Sequence, residues 1–143
     1  MNWKKETKEI EKRKLLAKQQ GGKDAVDLQH AKGRLTLRER IEKLVDKESF
    51  QEQGEIAGGT ETNEKGEVKS ITPANFILGF AKIDGRSVVL GGEDFTVKGG
   101  SPNPAGLRKS VYTEDLALSY KIPLIRLHEG GGGSVAGPGK SKK

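Results

Sequence analysis

The chain has 143 residues, with 26 Lys and Arg against 20 Asp and Glu, for a formal net charge of +6. It contains no cysteine, which excludes disulfides, thiolate zinc sites and thiol catalysis; the two histidines, His30 and His128, are too few for a histidine metal cluster. No stretch approaches the roughly eighteen apolar residues of a membrane span, and the N-terminus lacks a signal-peptide core, so the expected compartment is the cytoplasm or the mitochondrial matrix.

The charge is unevenly spread. Residues 1–20 hold seven Lys/Arg against three Glu, residues 137–143 hold three Lys and no acid, and the body between is near neutral. These basic ends lack interleaved aromatics, so no specific nucleic-acid binding is expected. An apolar fraction of 32% and 20 glycines leave little material for a core.

Residues 3–20 consist of strong helix formers and predict a largely solvated helix ended by Gly21-Gly22. With sparse apolar positions, Trp3, Ile10 and the Leu15–Leu16 pair, it reads either as lying against something outside the segment or as a frayed extension. Thr36 followed three residues later by Glu39 is a capping box, after which Leu37, Ile41, Leu44 and Val45 form one apolar helix face. Residues 54–74, charged and glycine-punctuated, predict an exposed loop. Residues 76–83 and 87–90 are strand-like runs joined by Asp84-Gly85, a hairpin signal because both positions tolerate positive φ. A helix is expected from about Ala105 to Ser119, with Pro104 at its start and Leu107, Val111, Leu116 and Leu118 as its apolar face. Pro123 to Leu127 is a short strand leading into Gly130-Gly131-Gly132-Gly133.

Hairpin, helix, strand and glycine loop make an α/β pattern, with the glycines at the carboxyl end of a strand, where open sheets place ligands. Consecutive glycine N–H groups can form an anion nest and stabilise an oxyanion; the alternative is a flexible linker. Gly139-Lys140-Ser141 resembles the end of a phosphate loop, but Ser134 stands where the opening glycine is required. His128 and Glu129, adjacent on extended chain, point to opposite faces; Glu129 is expected to order the loop and His128 to be exposed or hydrogen-bonded. Glu93 and Asp94 lack the further carboxylates a metal site needs.

Three segments together resemble one family. Residues 30–41, His-Ala-Lys-Gly-Arg-Leu-Thr-Leu-Arg-Glu-Arg-Ile, are similar to the H-x-K-G-[KR]-L-T-x-R-E-R-I opening of biotin-dependent acyl-CoA carboxylase carboxyltransferase (β) subunits, such as those for propionyl-CoA and methylcrotonoyl-CoA. Residues 94–101 resemble that family's D-F-T-V-x-G-G-S, and residues 122–127 with the glycines resemble its A-P-[VL]-I-x-L-x-x-S-G-G-A-R turn. The resemblance implies a partial crotonase-like fold of ββα units preceded by N-terminal helices. It divides the chain into a helical extension (1–23), an incomplete carboxyltransferase domain (24–137) and a basic tail (138–143). It implies carboxyl transfer from carboxybiotin, carried by a partner subunit or domain, to an acyl-CoA, with Gly131 and Gly132 as backbone oxyanion donors. Gly99, Gly100, Gly130 and Gly133 are the implied substrate-contacting positions, and no metal is implied in this segment. Expected partners are acyl-CoA, the biotin-carrying and biotin carboxylase subunit, and further copies in an oligomer.

The sequence departs from the pattern at Gly130, Gly133 and Ser134, where Ser, Ala and Arg are common, and at His128-Glu129, which replaces Asn-Asp. The family supplies its second oxyanion donor and biotin-side domain from segments not among these residues, so the chain alone is expected to be inactive and marginally folded. A biotin-dependent decarboxylase segment and a non-catalytic assembly module are the alternatives.

Overall fold

A computed structural model describes residues 2–130. Three helices, α1 (Lys4–Ala17), α2 (Lys23–Ala31) and α3 (Leu37–Leu44), precede the strands β1 (Gln51–Glu52), β2 (Gly58–Thr62), β3 (Val68–Pro73), β4 (Phe76–Ile83) and β5 (Arg86–Glu93). A 3-10 turn (Lys98–Gly100), the long helix α4 (Pro104–Tyr120) and the strand β6 (Leu124–Leu127) follow. None of the described helices is long and apolar enough to cross a membrane.

The main sheet has the order β1-β4-β5-β6. Strands β4 and β5 pair antiparallel around Asp84-Gly85, whose φ values of 50° and 76° are those the sequence predicts for a tight hairpin. Asp46 accepts hydrogen bonds from both turn amides, at 2.9 and 2.8 Å, and fixes the turn to the end of α3. Strand β6 pairs parallel to β5, with Val89 opposite Leu124 and Gly92 opposite Leu127. A parallel pair requires a crossover, and α4 is that crossover. This is the mixed α/β arrangement expected.

Side chains alternate across the central strands, and each face has its own core. Leu37 and Ile41 of α3 pack with Ile77 and Leu90 on one face. Leu116 of α4 packs with Phe76, Leu78 and Val89 on the other. Each such side chain contributes about 1.5–3 kcal/mol on burial. Of the anticipated α3 face, Leu37 and Ile41 are buried, Val45 is half-buried and Leu44 is exposed.

Two expectations need correction. Residues 54–74 are not an open loop: β2 and β3 form a separate antiparallel hairpin, from Gly58 opposite Pro73 to Thr62 opposite Val68. Its strands are legible only as β-branched Thr, Val and Ile among charges, because β2 is exposed along its whole length and shows no apolar alternation. Helix α1 lies against β3, with Lys12 Nζ donating to the Val68 carbonyl at 3.4 Å and Ala17 buried. The second correction concerns α4. Leu107, Val111 and Leu118 are exposed, and the helix instead turns Gly106, Lys109, Thr113 and Leu116 inward. Small residues let it lie close to its neighbours: a Cβ on Gly106 would sit 2.0 Å from Asn75 Oδ1, and one on Gly91 would sit 3.0 Å from Thr113 Cγ2.

Candidate functional site

Because β5 and β6 are parallel, both deliver their carboxyl ends to one edge of the sheet. There β5 ends at Glu93, and β6 runs into His128, Glu129 and Gly130. The N-terminus of α3 is tucked beneath: a Cβ on Gly92 would meet Leu37 Cδ1 at 2.8 Å and the Leu127 carbonyl oxygen at 2.5 Å. The capping box forms as predicted, with Thr36 Oγ1 accepting from the Glu39 amide at 3.3 Å and Glu39 Oε2 accepting from the Thr36 amide at 2.7 Å. His30 Nε2 lies 2.9 Å from the same carboxylate. Hydrogen bonding from His30 and from the Thr36 amide holds the Glu39 carboxyl below its ordinary range.

This capped segment delivers three side chains to Glu129. Gln29 Nε2 donates to Glu129 Oε1 at 2.6 Å, while Arg34 Nη1 and Arg40 Nη1 stand at 3.9 and 3.7 Å from the carboxylate. On the backbone side, the Glu129 amide donates to Glu93 Oε2 at 3.3 Å, and His128 Nδ1 lies 3.3 Å from that same oxygen. The side chains of His128 and Glu129 thus engage different partners, with His128 largely exposed. An open pocket of about 410 Å³ lies over Arg34, Leu35, Arg40, His128 and Glu129. Neither guanidinium donates a side-chain hydrogen bond among the described residues.

Glu93 links this mouth to the second motif. It also lines a small pocket of about 60 Å³ with Asn75, Gly100, Gly106 and Ser110. Lys98, Gly99 and Gly100 take positive φ of 52°, 63° and 71° in succession, a path that the two glycines follow without strain. Gly100 is buried, whereas a Cβ on Gly99 would meet open space. The loop is locked from below: Asp94 Oδ1 accepts from the Thr96 amide at 3.0 Å and from Thr96 Oγ1 at 2.6 Å, and Thr96 Oγ1 accepts from the Gly21 amide at 3.0 Å. A Cβ on Gly21 would fall 1.9 Å from the Thr96 carbonyl oxygen, so the end of the N-terminal helical segment fits only as glycine. Asp94 is therefore a structural lock. Gly130 is exposed with nothing near its Cβ position. Gly131, Gly132 and Gly133, with Ser134 and the Gly139-Lys140-Ser141 run, lie outside the described residues.

Beneath the sheet edge is a charged cluster that sequence reading does not reveal. Arg38 grips Glu52 through two parallel bonds of 2.7 and 3.1 Å, and Lys109 Nζ donates to the Gly54 carbonyl at 3.2 Å. Both surround a cavity of about 10 Å³ with Asp94 and Glu55, room for about one water. Among the described residues Arg38 Nε has no acceptor. Burial pushes the Asp94 carboxyl up, against the hydrogen bonds from Thr96, and pushes the Lys109 amine down, against the pull of Glu52. Among the described residues no group of three or more metal-ligating side chains occurs. A larger groove, about 700 Å³, is lined by residues of α1 and its immediate flanks.

A family model for the carboxyl transferase domain matches residues 28–138. The chain is 37% identical over 127 residues to the biotin-dependent acetyl-/propionyl-coenzyme A carboxylase beta5 subunit of Mycobacterium tuberculosis, covering 89% of this chain and 23% of that one. It is 35% identical over 115 residues to the methylmalonyl-CoA decarboxylase subunit alpha of Veillonella parvula, covering 80% and 23% respectively. Among solved structures, the hexameric transcarboxylase 12S with methylmalonyl-coenzyme A bound superposes with a TM-score of 0.76 at 31% identity, over 89% of this chain and 25% of that one. The chain thus spans about a quarter of the length of these relatives.

Proposed function

Because the chain belongs to the carboxyl transferase domain family, we propose that it is the portion of an acyl-CoA carboxyltransferase that holds the thioester during carboxyl transfer. The observation that carries this reading is the position of the glycine run. It begins at Gly130, three residues beyond the carboxyl end of β6, within the matched residues. On this reading the backbone N–H groups of Gly131 and Gly132 face the thioester oxygen and stabilise the negative charge that develops there when the acyl carbon becomes nucleophilic. Biotin, carried by a partner subunit or domain, supplies the carboxyl group. The chain's own residues bind, orient and stabilise charge; no side-chain nucleophile is required.

The residues at the mouth fit a polyanionic thioester. Two guanidiniums, each ion-paired with Glu129 but making no side-chain hydrogen bond among the described residues, border an open pocket of about 410 Å³, and guanidinium forks match phosphate oxygens. Gly99, Gly100, Gly130 and Gly133 are proposed to border the acyl-CoA. Full turnover requires parts that the longer relatives have and these 143 residues do not, so the chain alone binds without catalysing. Oligomerisation and engagement of a biotin-carrying subunit belong to the same proposal.

The test is a pair of measurements on the purified chain. Saturable binding of propionyl-CoA or methylmalonyl-CoA is expected, with weaker binding of the phosphate-free N-acetylcysteamine thioester. With free biotin, no carboxyl transfer is expected. Absence of any CoA-ester binding would overturn the functional reading, and turnover by the chain alone would overturn its dependence on further segments. The decarboxylase relative supports a second reading, the same transfer run in the opposite direction; carboxyl transfer from methylmalonyl-CoA to free biotin by an assembled complex is its signature.

A further inference from the structure

The proposed site depends on a glycine run, and glycine is the residue least able to fix its own backbone. Something must set where that run begins. The two residues before Gly130 are held from both sides: His128 and the Glu129 amide meet Glu93 of β5, and the Glu129 carboxylate meets Gln29, Arg34 and Arg40. All three of the latter come from the α2–α3 segment, whose geometry is fixed by the capping box and by Leu37 beneath Gly92. The Glu129 side chain is largely buried, at 17% exposure, and Gln29 is 3% exposed, so the 2.6 Å bond between them is shielded from water.

We infer that Glu129 is a positioning residue: it anchors the first residue of the glycine run in a cradle of Gln29, Arg34 and Arg40. In this reading the segment from residue 29 to residue 40 serves the site by holding a carboxylate. The two arginines lie beyond hydrogen-bond distance, so they act on Glu129 through charge while keeping donors for a ligand; Gln29 supplies the directional bond. The inference rests on the functional reading for its purpose, but its geometry is independent of any ligand.

Backbone 15N order parameters of the intact 143-residue chain test it without reference to activity. In the parent, His128 to Gly130 should give values near those of the sheet, about 0.85, and Glu129→Ala should lower them below about 0.6 while β4 and β5 stay unchanged. Glu129→Gln keeps an acceptor for Gln29 but loses the charge, and should fall between the two. Equal order at Gly130 in parent and Glu129→Ala, or a loss spread over the whole sheet, would overturn the inference. Arg34→Met with Arg40→Met should reproduce the Glu129→Gln value; order equal to that of the parent would remove the arginines from the cradle. Propionyl-CoA titration of the same samples separates the two proposals. A parent that holds Gly130 rigid but binds no CoA ester keeps the cradle and loses the functional reading.

Discussion

At the scale of single residues, Asp94 shows how a family motif can be structural. Its carboxylate takes two hydrogen bonds from Thr96 and sits beside Arg38, yet desolvation outweighs both, and its pKa is raised from the ordinary 3.8. A carboxyl with a raised folded pKa contributes stability that is fully present below its unfolded value and is lost as pH rises through the folded value. Asp94→Asn retains an oxygen acceptor for Thr96 and does not ionise. Urea unfolding from pH 4 to pH 7 should therefore show Asp94→Asn gaining on the parent as pH rises, by no more than about 1.4 kcal/mol per pH unit. A parent that gains on the variant over this range would mean that Arg38 dominates burial at this carboxyl.

At the scale of elements, the capping box is the local device on which the site is built. Thr36→Ala removes the acceptor for the Glu39 amide and should cost about 1 kcal/mol in urea unfolding. A change within error of zero would show that Leu37 and Ile41 alone fix α3. This box, the Asp84-Gly85 hairpin and β6 were legible because each rests on a short-range rule: a spacing of three, a dipeptide with positive φ, an apolar run before glycines. What escaped reading has no such signature. Strand β2 is exposed throughout and is held by ladder hydrogen bonds rather than by an apolar stripe. Helix α2 buries none of its apolar residues, Leu28 being exposed, and its buried residue is Gln29, the partner of Glu129. The inward face of α4 was read correctly at Leu116 but misassigned at Leu107, Val111 and Leu118, because close approach selected Gly106 and Thr113. The cradle was half visible: Glu129 was expected to order the loop, but its partners lie up to a hundred residues away in sequence.

At the scale of the whole molecule, the sheet of the described residues carries two small clusters, each of four buried residues, one on each face. Among the described residues the outer edge of β6 has no partner strand, and Leu107, Val111 and Leu118 face outward from α4. The isolated chain is therefore expected to unfold broadly on heating. A sharp calorimetric transition approaching the usual ~0.7 kcal/mol per residue would count against that.

The bond between Gly21 and Thr96 bridges 75 positions of sequence, and β3, the support for α1, begins at Val68. On a ribosome the N-terminal helix therefore emerges well before anything it can rest on has been made. For the time taken to add some fifty further residues, several seconds at about 5–20 residues per second, it has only its own helix propensity and its charge to keep it in solution. A helix so rich in lysine and glutamate suits that interval, since it tolerates water until its support arrives.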